Sequence, residues 1–346
     1  MTKPNTRVTA KLLAQKLGLS IATVDRALNN RGNVKKSTYD KIMAAIEELD
    51  YKPNKSASLL SRNIKMNIAV IFQTYPAYFW DQIEVGVNRA RRELSDYGVQ
   101  IDVIRTPNAN IEEQIEIIRQ VIESNQYDGI AVSSDGSQEI GDLIDLAIHK
   151  GIKTCTFNTD SPLSKRLFYI GCDYRDAGRL AAELMCKFVG NDGEVAFILE
   201  NENMFQFQQK ILGFREVLDA HPKVRMIGPL RIDRDNLEES LLSLKEDLDH
   251  VDGIYLATGQ LSLLAKQLKE WNMFKPLVGH DMDMDVYNFL QNELITATIC
   301  QDPHTQGYMA VKSLFDVLIQ SAHDKIPVTN GNRLEVVFRE NAKYYL

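Results

Sequence analysis

Hydrophobic positions follow two different spacings along the chain. Up to about residue 50 they keep a helical period, in three short blocks. Thr9 is placed to cap a first helix containing Leu12, Leu13 and Leu17, which Gly18 closes. Ser20 then opens a second helix over residues 21–29, where Val24 and Leu28 share one face with Ala27 beside them. Ile21, Ala22, Asp25, Arg26 and Asn29 are left on outward faces. The Asn-Asn-Arg-Gly-Asn stretch (29–33) ends that helix. Ser37 is expected to cap a third helix, with Asp40 at its third position and Ile42, Ile46 and Leu49 inward.

From Asn67 the pattern becomes short apolar runs alternating with amphipathic stretches. The runs are IAVIF (68–72), IDVI (101–104), GIAV (129–132), TCTF (154–157), FYIG (168–171), VAFIL (195–199), GIYLA (253–257) and PLVG (276–279). Helical stretches lie between most of them, at 80–97, 111–125, 174–189 and 303–322. Buried strands alternating with helices predict a parallel sheet covered on both faces. Two halves, roughly 66–160 and 161–301, each carry such a series. Neither a G-x-G-x-x-G after the first strand nor a G-x-x-x-x-G-K motif is present, so nothing is built to cradle a phosphate.

Charge changes the picture of the first block. Residues 1–65 hold 13 Lys and Arg against 5 Asp and Glu, a local net of +8, while the whole chain is −7. Such asymmetry points to a polyanionic partner. Two short helices joined by a tight Gly-containing link form a helix-turn-helix, whose second helix enters the DNA major groove. Ile21 and Ala22 then sit at its reading end, Arg26 is placed to pair with guanine, and Arg31, Lys35 and Lys36 to contact phosphates. The N-terminus lacks a secretory apolar run, and no uninterrupted apolar segment is long enough to span a bilayer, so a cytoplasmic protein is expected. Four scattered cysteines (155, 172, 186, 300) read as reduced packing residues.

The run VTAKLLAQKLGLSIATVDRALNN, then VKKST, then YKPNKSASLL, matches a family pattern without a gap from Val8 to Leu60. In it the chain resembles the lactose-repressor family of bacterial transcription regulators. The resemblance implies a hinge helix after Y-x-P-N, with Ala57 buried and Leu60 wedged into the minor groove at a central base step. The DNA-contacting set it implies is Thr9, Ser20, Ile21, Ala22, Thr23, Arg26, Asn29, Asn33, Ala57 and Leu60. Two departures stand out. Ile21 and Ala22 have no hydrogen-bonding groups and would read shape or thymine methyls, and Asp25 replaces a phosphate-binding hydroxyl.

The larger region is similar to the family's two-lobed, type I periplasmic-binding-protein-like effector domain. AYFWDQIEVGV (77–87), YDGIAVSSD (127–135), CTFNTDSP (155–162), QQKILGFRE (208–216) and TATICQDPHTQG (296–307) carry the likeness. By family position Phe79 and Trp80 would stack on a sugar, and Asp135, Asn158, Lys210, Asp281 and Gln301 would hydrogen-bond it. Trp80 is expected in the cleft and Trp271 outside it. Sugar binders of this type carry Asp-Arg where this chain has Asn158-Thr159, Asn-Asp where it has Thr258-Gly259, and arginine at Lys210. DMDMD (281–285) fails as an EF-hand, with Val286 and Asn292 at the positions needing Gly and Glu.

The expected organisation is a DNA-binding domain (1–52), a hinge helix and linker (53–65) and an effector and dimerisation domain (66–346). One lobe spans about 66–160 and 302–324, the other about 161–301 and 325–346. The expected function is a dimeric, sequence-specific repressor on a near-palindromic operator, controlled by a sugar or sugar derivative, with no cofactor, metal or membrane role. An uptake protein that binds carbohydrate is the alternative. It leaves the first 65 residues without purpose. An enzyme is not expected, since no nucleophile–base pair, phosphate loop or metal set is seen.

Overall fold

The computed structural model describes residues 10–28, 32, 34–49, 65–106, 111–190, 192–233, 236–319 and 329–346. The chain divides into two compact units, the N-terminal helices and an α/β body.

In the first unit α1 is Ala10–Leu17, α2 Ile21–Leu28 and α3 Lys36–Glu48. Leu13, Ala14, Val24, Ala27, Ile42 and Ala45 form its core, as the helical spacing requires. Gly18 takes the left-handed conformation (φ 65°) that lets the chain turn between α1 and α2. Ser20 Oγ accepts the Thr23 N–H at 3.1 Å and so caps α2. One expectation fails: α3 starts at Lys36, with Lys35 at the cap position and no side-chain cap bond, so Ser37 lies inside the first turn. Val34 and Tyr39 both pack on the core, at the two positions of a hydrophobic staple, and this burial sets the start of α3.

The body holds two six-stranded sheets. The first has the order β11-β5-β4-β3-β1-β2, from β1 (Met66–Gln73), β2 (Val99–Thr106), β3 (Gly129–Val132), β4 (Lys153–Phe157), β5 (Tyr169–Gly171) and β11 (Thr329–Gly331). The second is β12-β10-β9-β8-β6-β7, from β6 (Gly193–Leu199), β7 (Val224–Arg231), β8 (Gly253–Leu256), β9 (Leu277–His280), β10 (Ala297–Cys300) and β12 (Glu335–Val337). Every pairing is parallel except that of β10 with β12. Ignoring the last strand of each, both sheets run 2-1-3-4-5 in their own strand order. The flanking helices are α4 (Ala77–Leu94), α5 (Ile111–Glu123), α6 (Gln138–His149), α7 (Tyr174–Phe188), α8 (Phe205–Leu218), α9 (Leu237–Ser243), α10 (Lys245–His250), α11 (Leu261–Glu270), α12 (Met284–Gln291) and α13 (Pro303–Ile319).

Two lobe limits need correction. Strand β5 pairs with β4 through Thr156–Tyr169 and Phe157–Ile170, and β11 pairs with β5, so both belong to the first sheet. The chain therefore passes to the second sheet only after Gly171, returns after Cys300, and passes again between Gly331 and Glu335. The apolar runs do not predict strands β7, β10 and β11. Gly228-Pro229 interrupts β7, an edge strand whose register shifts against β6, and β10 is only four residues long within a stretch that reads as loop. Helix α4 begins at Ala77, three residues before its expected start, which places Phe79 and Trp80 in its first turn.

Helices α7 and α8 touch backbone to backbone. A Cβ on Gly178 would stand 2.1 Å from the Lys210 carbonyl oxygen, and one on Gly213 would stand 1.9 Å from that of Arg175. That contact fixes the depth of α8, and with it Lys210.

Candidate functional site

The strand ends that face each other between the two sheets enclose a cavity of about 710 Å³. This is where ligands of open α/β sheets bind, at the carboxyl ends of parallel strands. All seven expected ligand residues, Phe79, Trp80, Asp135, Asn158, Lys210, Asp281 and Gln301, line it. Trp271 does not, and packs on the second lobe's core.

The aromatic wall comes from the first turn of α4. Trp80 is stacked on Phe72 with centroids 5.5 Å apart, and Phe79 meets it edge-on at 5.2 Å. The indole N–H donates to the Tyr75 carbonyl at 3.0 Å, so Trp80 presents an apolar surface. Asp135 follows β3 and accepts the Ser137 N–H at 2.8 Å, which holds its loop in a turn.

A chain of polar side chains connects the lobes at the crossovers. Asn158 Nδ2 donates to Gln306 Oε1 at 3.3 Å, Gln306 Nε2 donates to the Gln301 carbonyl at 2.8 Å, and Gln301 Nε2 donates to Asp281 Oδ1 at 3.0 Å. Asn158 and Asp281 both have positive φ, 59° and 66°, where the chain turns away from β4 and β9. The Tyr169 and Tyr174 hydroxyls both donate to the Asn158 carbonyl, at 2.6 and 2.8 Å. Thr298 Oγ1 donates to the Asp281 carbonyl at 2.7 Å, so both ends of this chain are held by protein groups.

Electrostatics divide the cavity. Lys210 is 5 % exposed. Its Nζ donates to the Ala257 carbonyl at 2.7 Å, with the Tyr174 and Phe207 rings at 5.4 and 5.8 Å. Burial brings its pKa down to about 8. Burial acts the opposite way on Asp281, raising it to about 6 against the Gln301 hydrogen bond. Behind them His280 Nε2 lies 2.7 Å from the Tyr255 hydroxyl, and burial, reinforced by Lys210, keeps the imidazole neutral.

Four further hydrogen bonds join the lobes, two of them between residues that line the cavity. Tyr78 OH donates to the Gly259 carbonyl at 2.8 Å, and the Tyr75 hydroxyl accepts from Gln260 Nε2 at 2.9 Å. Gln82 Nε2 reaches the Met282 carbonyl at 3.2 Å, and Thr159 Oγ1 donates to Gln206 Oε1 at 2.9 Å. Thr159 and Gly259, both departures from the sugar-binding pattern, are thus bonded across the lobes. Sequence reading missed Tyr75, Tyr174, Gln206, Gln260, His280 and Gln306. For His280 and Gln260 the position just past a buried run was a usable signal. The others lie in helices and turns that carry none.

In the N-terminal unit, Ile21 is 51 % exposed, and Ala22 and Arg26 are exposed on the same helix. Arg26 Nε donates to the Ala22 carbonyl at 3.2 Å, and the Ser20 and Thr23 hydroxyls are 2.8 Å apart. Lys35 and Lys36 are exposed as well. Thr9, Asn29, Arg31, Asn33, Ala57 and Leu60 lie outside the described residues. Among the described residues no group of three or more His, Cys, Asp or Glu side chains could hold a metal ion. No helix there is long and apolar enough to cross a membrane.

Comparison with known proteins agrees with both units. Residues 68–321 match the periplasmic binding protein domain, and residues 11–54 match the bacterial regulatory proteins of the lacI family. The chain is similar to the sucrose operon repressor of Streptococcus mutans, 25 % identical over 84 % of this chain and 86 % of that one. It is also similar to the HTH-type transcriptional regulator RegA of Clostridium saccharobutylicum, 24 % identical over 91 % and 94 %. A solved structure of a putative LacI transcriptional regulator from Bacteroides fragilis shares the fold, with a TM-score of 0.75 at 20 % identity over 82 % of this chain and 100 % of that one. A solute-binding protein from Burkholderia graminis, solved with D-arabinose, is similar at a TM-score of 0.72 and 26 % identity over 81 % and 97 %. The chain belongs to the lacI family of bacterial regulatory proteins, with that family's helix-turn-helix unit followed by a periplasmic-binding-protein domain.

Proposed function

We propose that the interlobe cleft is the effector site of a transcriptional repressor and that its effector is a sugar or sugar derivative. The protein is a DNA-binding regulator, as its family is, and acts in the cytoplasm as a homodimer on near-palindromic operator DNA. The carrying observation is that seven residues spread from Phe79 to Gln301 meet in one cavity. An aromatic wall suits the C–H faces of a carbohydrate, and the amide, carboxyl and amine groups suit its hydroxyls. The D-arabinose complex of the Burkholderia graminis protein supports the same ligand class. Ser20, Ile21, Ala22, Thr23 and Arg26 are proposed to meet the major groove, with Thr9, Asn29 and Asn33 beside them. Ala57 and Leu60 are assigned to the hinge. The proposed domain limits are 1–52, 53–65 and 66–346, with the corrected strand membership above.

Ligand binding changes how far the lobes close, and any ligand that alters DNA affinity is altered by DNA to the same degree. The test is tryptophan emission of the full-length protein, titrated with pentoses, hexoses and polyols. A saturable change in wild type that disappears in Trp80→Phe is the expected result. A saturable change that survives in Trp80→Phe would place the ligand elsewhere.

A further inference from the structure

We propose that Lys210 is a nucleophilic amine that condenses with a carbonyl group of the ligand, so that the effector carries an aldehyde or ketone and is held as a reversible imine. This rests on the cleft being the effector site and adds what is bound there and how. A buried ammonium normally meets a carboxylate, because burying an unpaired charge is costly. Lys210 forms no ion pair among the described residues. Among the described residues its hydrogen-bond acceptor is the neutral Ala257 carbonyl and two aromatic rings flank it, while Asp281 and Glu200 act on it through space without bonding to it. It nonetheless lines the cavity, so a ligand can reach it. Burial raises the free-amine fraction well above that of an exposed lysine, bringing the pKa down to about 8 although Cys172, Asp281 and Glu200 favour the charged form. The arginine that sugar binders of this type carry here stays protonated and has no such chemistry.

The step balances without an oxidant or reductant. The Nζ lone pair attacks the carbonyl carbon, and the C=O π pair moves to oxygen. Proton transfer from nitrogen to oxygen gives the carbinolamine. Loss of the hydroxyl group as one water then leaves the C=N bond. Asp281, in the same cavity and partly protonated near neutral pH, is the group placed to exchange the protons. A reducing sugar would react through its open-chain form, and hydrolysis would release it unchanged.

The experiment uses the full-length protein with glycolaldehyde, the smallest hydroxyaldehyde, and sodium cyanoborohydride at pH 7, followed by peptide mapping. The reductant converts an imine to a stable secondary amine. Lys210 is expected to be labelled at least ~10-fold faster than the median lysine, since its neutral fraction is larger by a factor on the order of 100. Lys210→Arg should carry no label at that position and leave labelling elsewhere unchanged. If that variant fails to fold, protection of wild-type Lys210 by a saturating alditol serves in its place. Labelling of Lys210 no faster than at exposed lysines overturns the imine. If carbohydrates still saturate the Trp80 signal in that case, the cleft remains the effector site. Without either result, both readings fall. Fast labelling with no carbohydrate response keeps the imine and moves the effector to another class of carbonyl compound.

Discussion

Lys210 shows how one residue carries both a stability signature and a functional one. Its pKa falls from 10.5 to about 8 on folding, so between those values the folded protein binds fewer protons than the unfolded chain. Stability therefore rises with pH across that window, as the unfolded chain gives up the proton that the native state has already lost. We expect wild type to gain up to about 3 kcal/mol relative to Lys210→Met between pH 8 and pH 10.5, read from urea unfolding of the two proteins at several pH values. A constant difference across the window would mean that the amine is not desolvated. The position was legible in the sequence because it stands three residues before Gly213 in QQKILGFRE. Its lack of a direct ion pair was not, because that depends on how distant strand ends set Asp281 and Glu200 around it, near enough to be felt but not bonded to it.

At the scale of elements, the same device appears once in each lobe. Gly178 and Gly213 let α7 and α8 meet at their backbones, and Gly86 and Gly307 do so for α4 and α13, where an added Cβ would stand 2.0 Å from the His304 carbonyl and 2.1 Å from that of Ile83. Rigid carbonyls leave such a Cβ no escape, so one helix must move. Gly213→Ala is expected to cost about 1–3 kcal/mol, seen as a lower midpoint in thermal unfolding, and to weaken effector binding by shifting Lys210. Gly141→Ala serves as the contrast. Its added Cβ would come only within 3.9 Å of Ser164, so it should be neutral or slightly stabilising through helix propensity. Equal losses in both variants would refute the packing explanation. The helices themselves were readable from amphipathic spacing, whereas their crossing partners were not, since a glycine looks the same in a helix whether or not another backbone touches it.

For the whole molecule, the two units differ in sign as well as in fold. The first 65 residues are net +8, on a chain that is −7 in total. Operator binding by the full-length protein should fall at least ~10-fold between ~50 and ~200 mM salt, because phosphate contacts release counterions. A flat dependence in a gel-shift or anisotropy titration would remove the basic unit from DNA contact. In the α/β body, the hydrogen bonds Tyr78–Gly259, Tyr75–Gln260, Gln82–Met282 and Thr159–Gln206 join the two lobes through protein groups alone.

While the cleft residues were named only through the family resemblance, the sequence by itself determined the three N-terminal helices, the alternation of strands and helices and the charge division. All of these are local, since a period of 3.6, a buried run or a Gly after a helix is visible within a few residues. Only the tertiary structure decided that β5 and β11 complete the first sheet, that β7 and β10 are strands, and that Gln306 joins Asn158 to Gln301. Sheet membership is set by hydrogen bonds between segments far apart in the chain, here Tyr169 with Thr329 and Thr156, and such pairing leaves no trace in the local pattern. The start of α3 was decided the same way, by burial of Val34 and Tyr39 against helices that precede them rather than by the serine that looked like its cap.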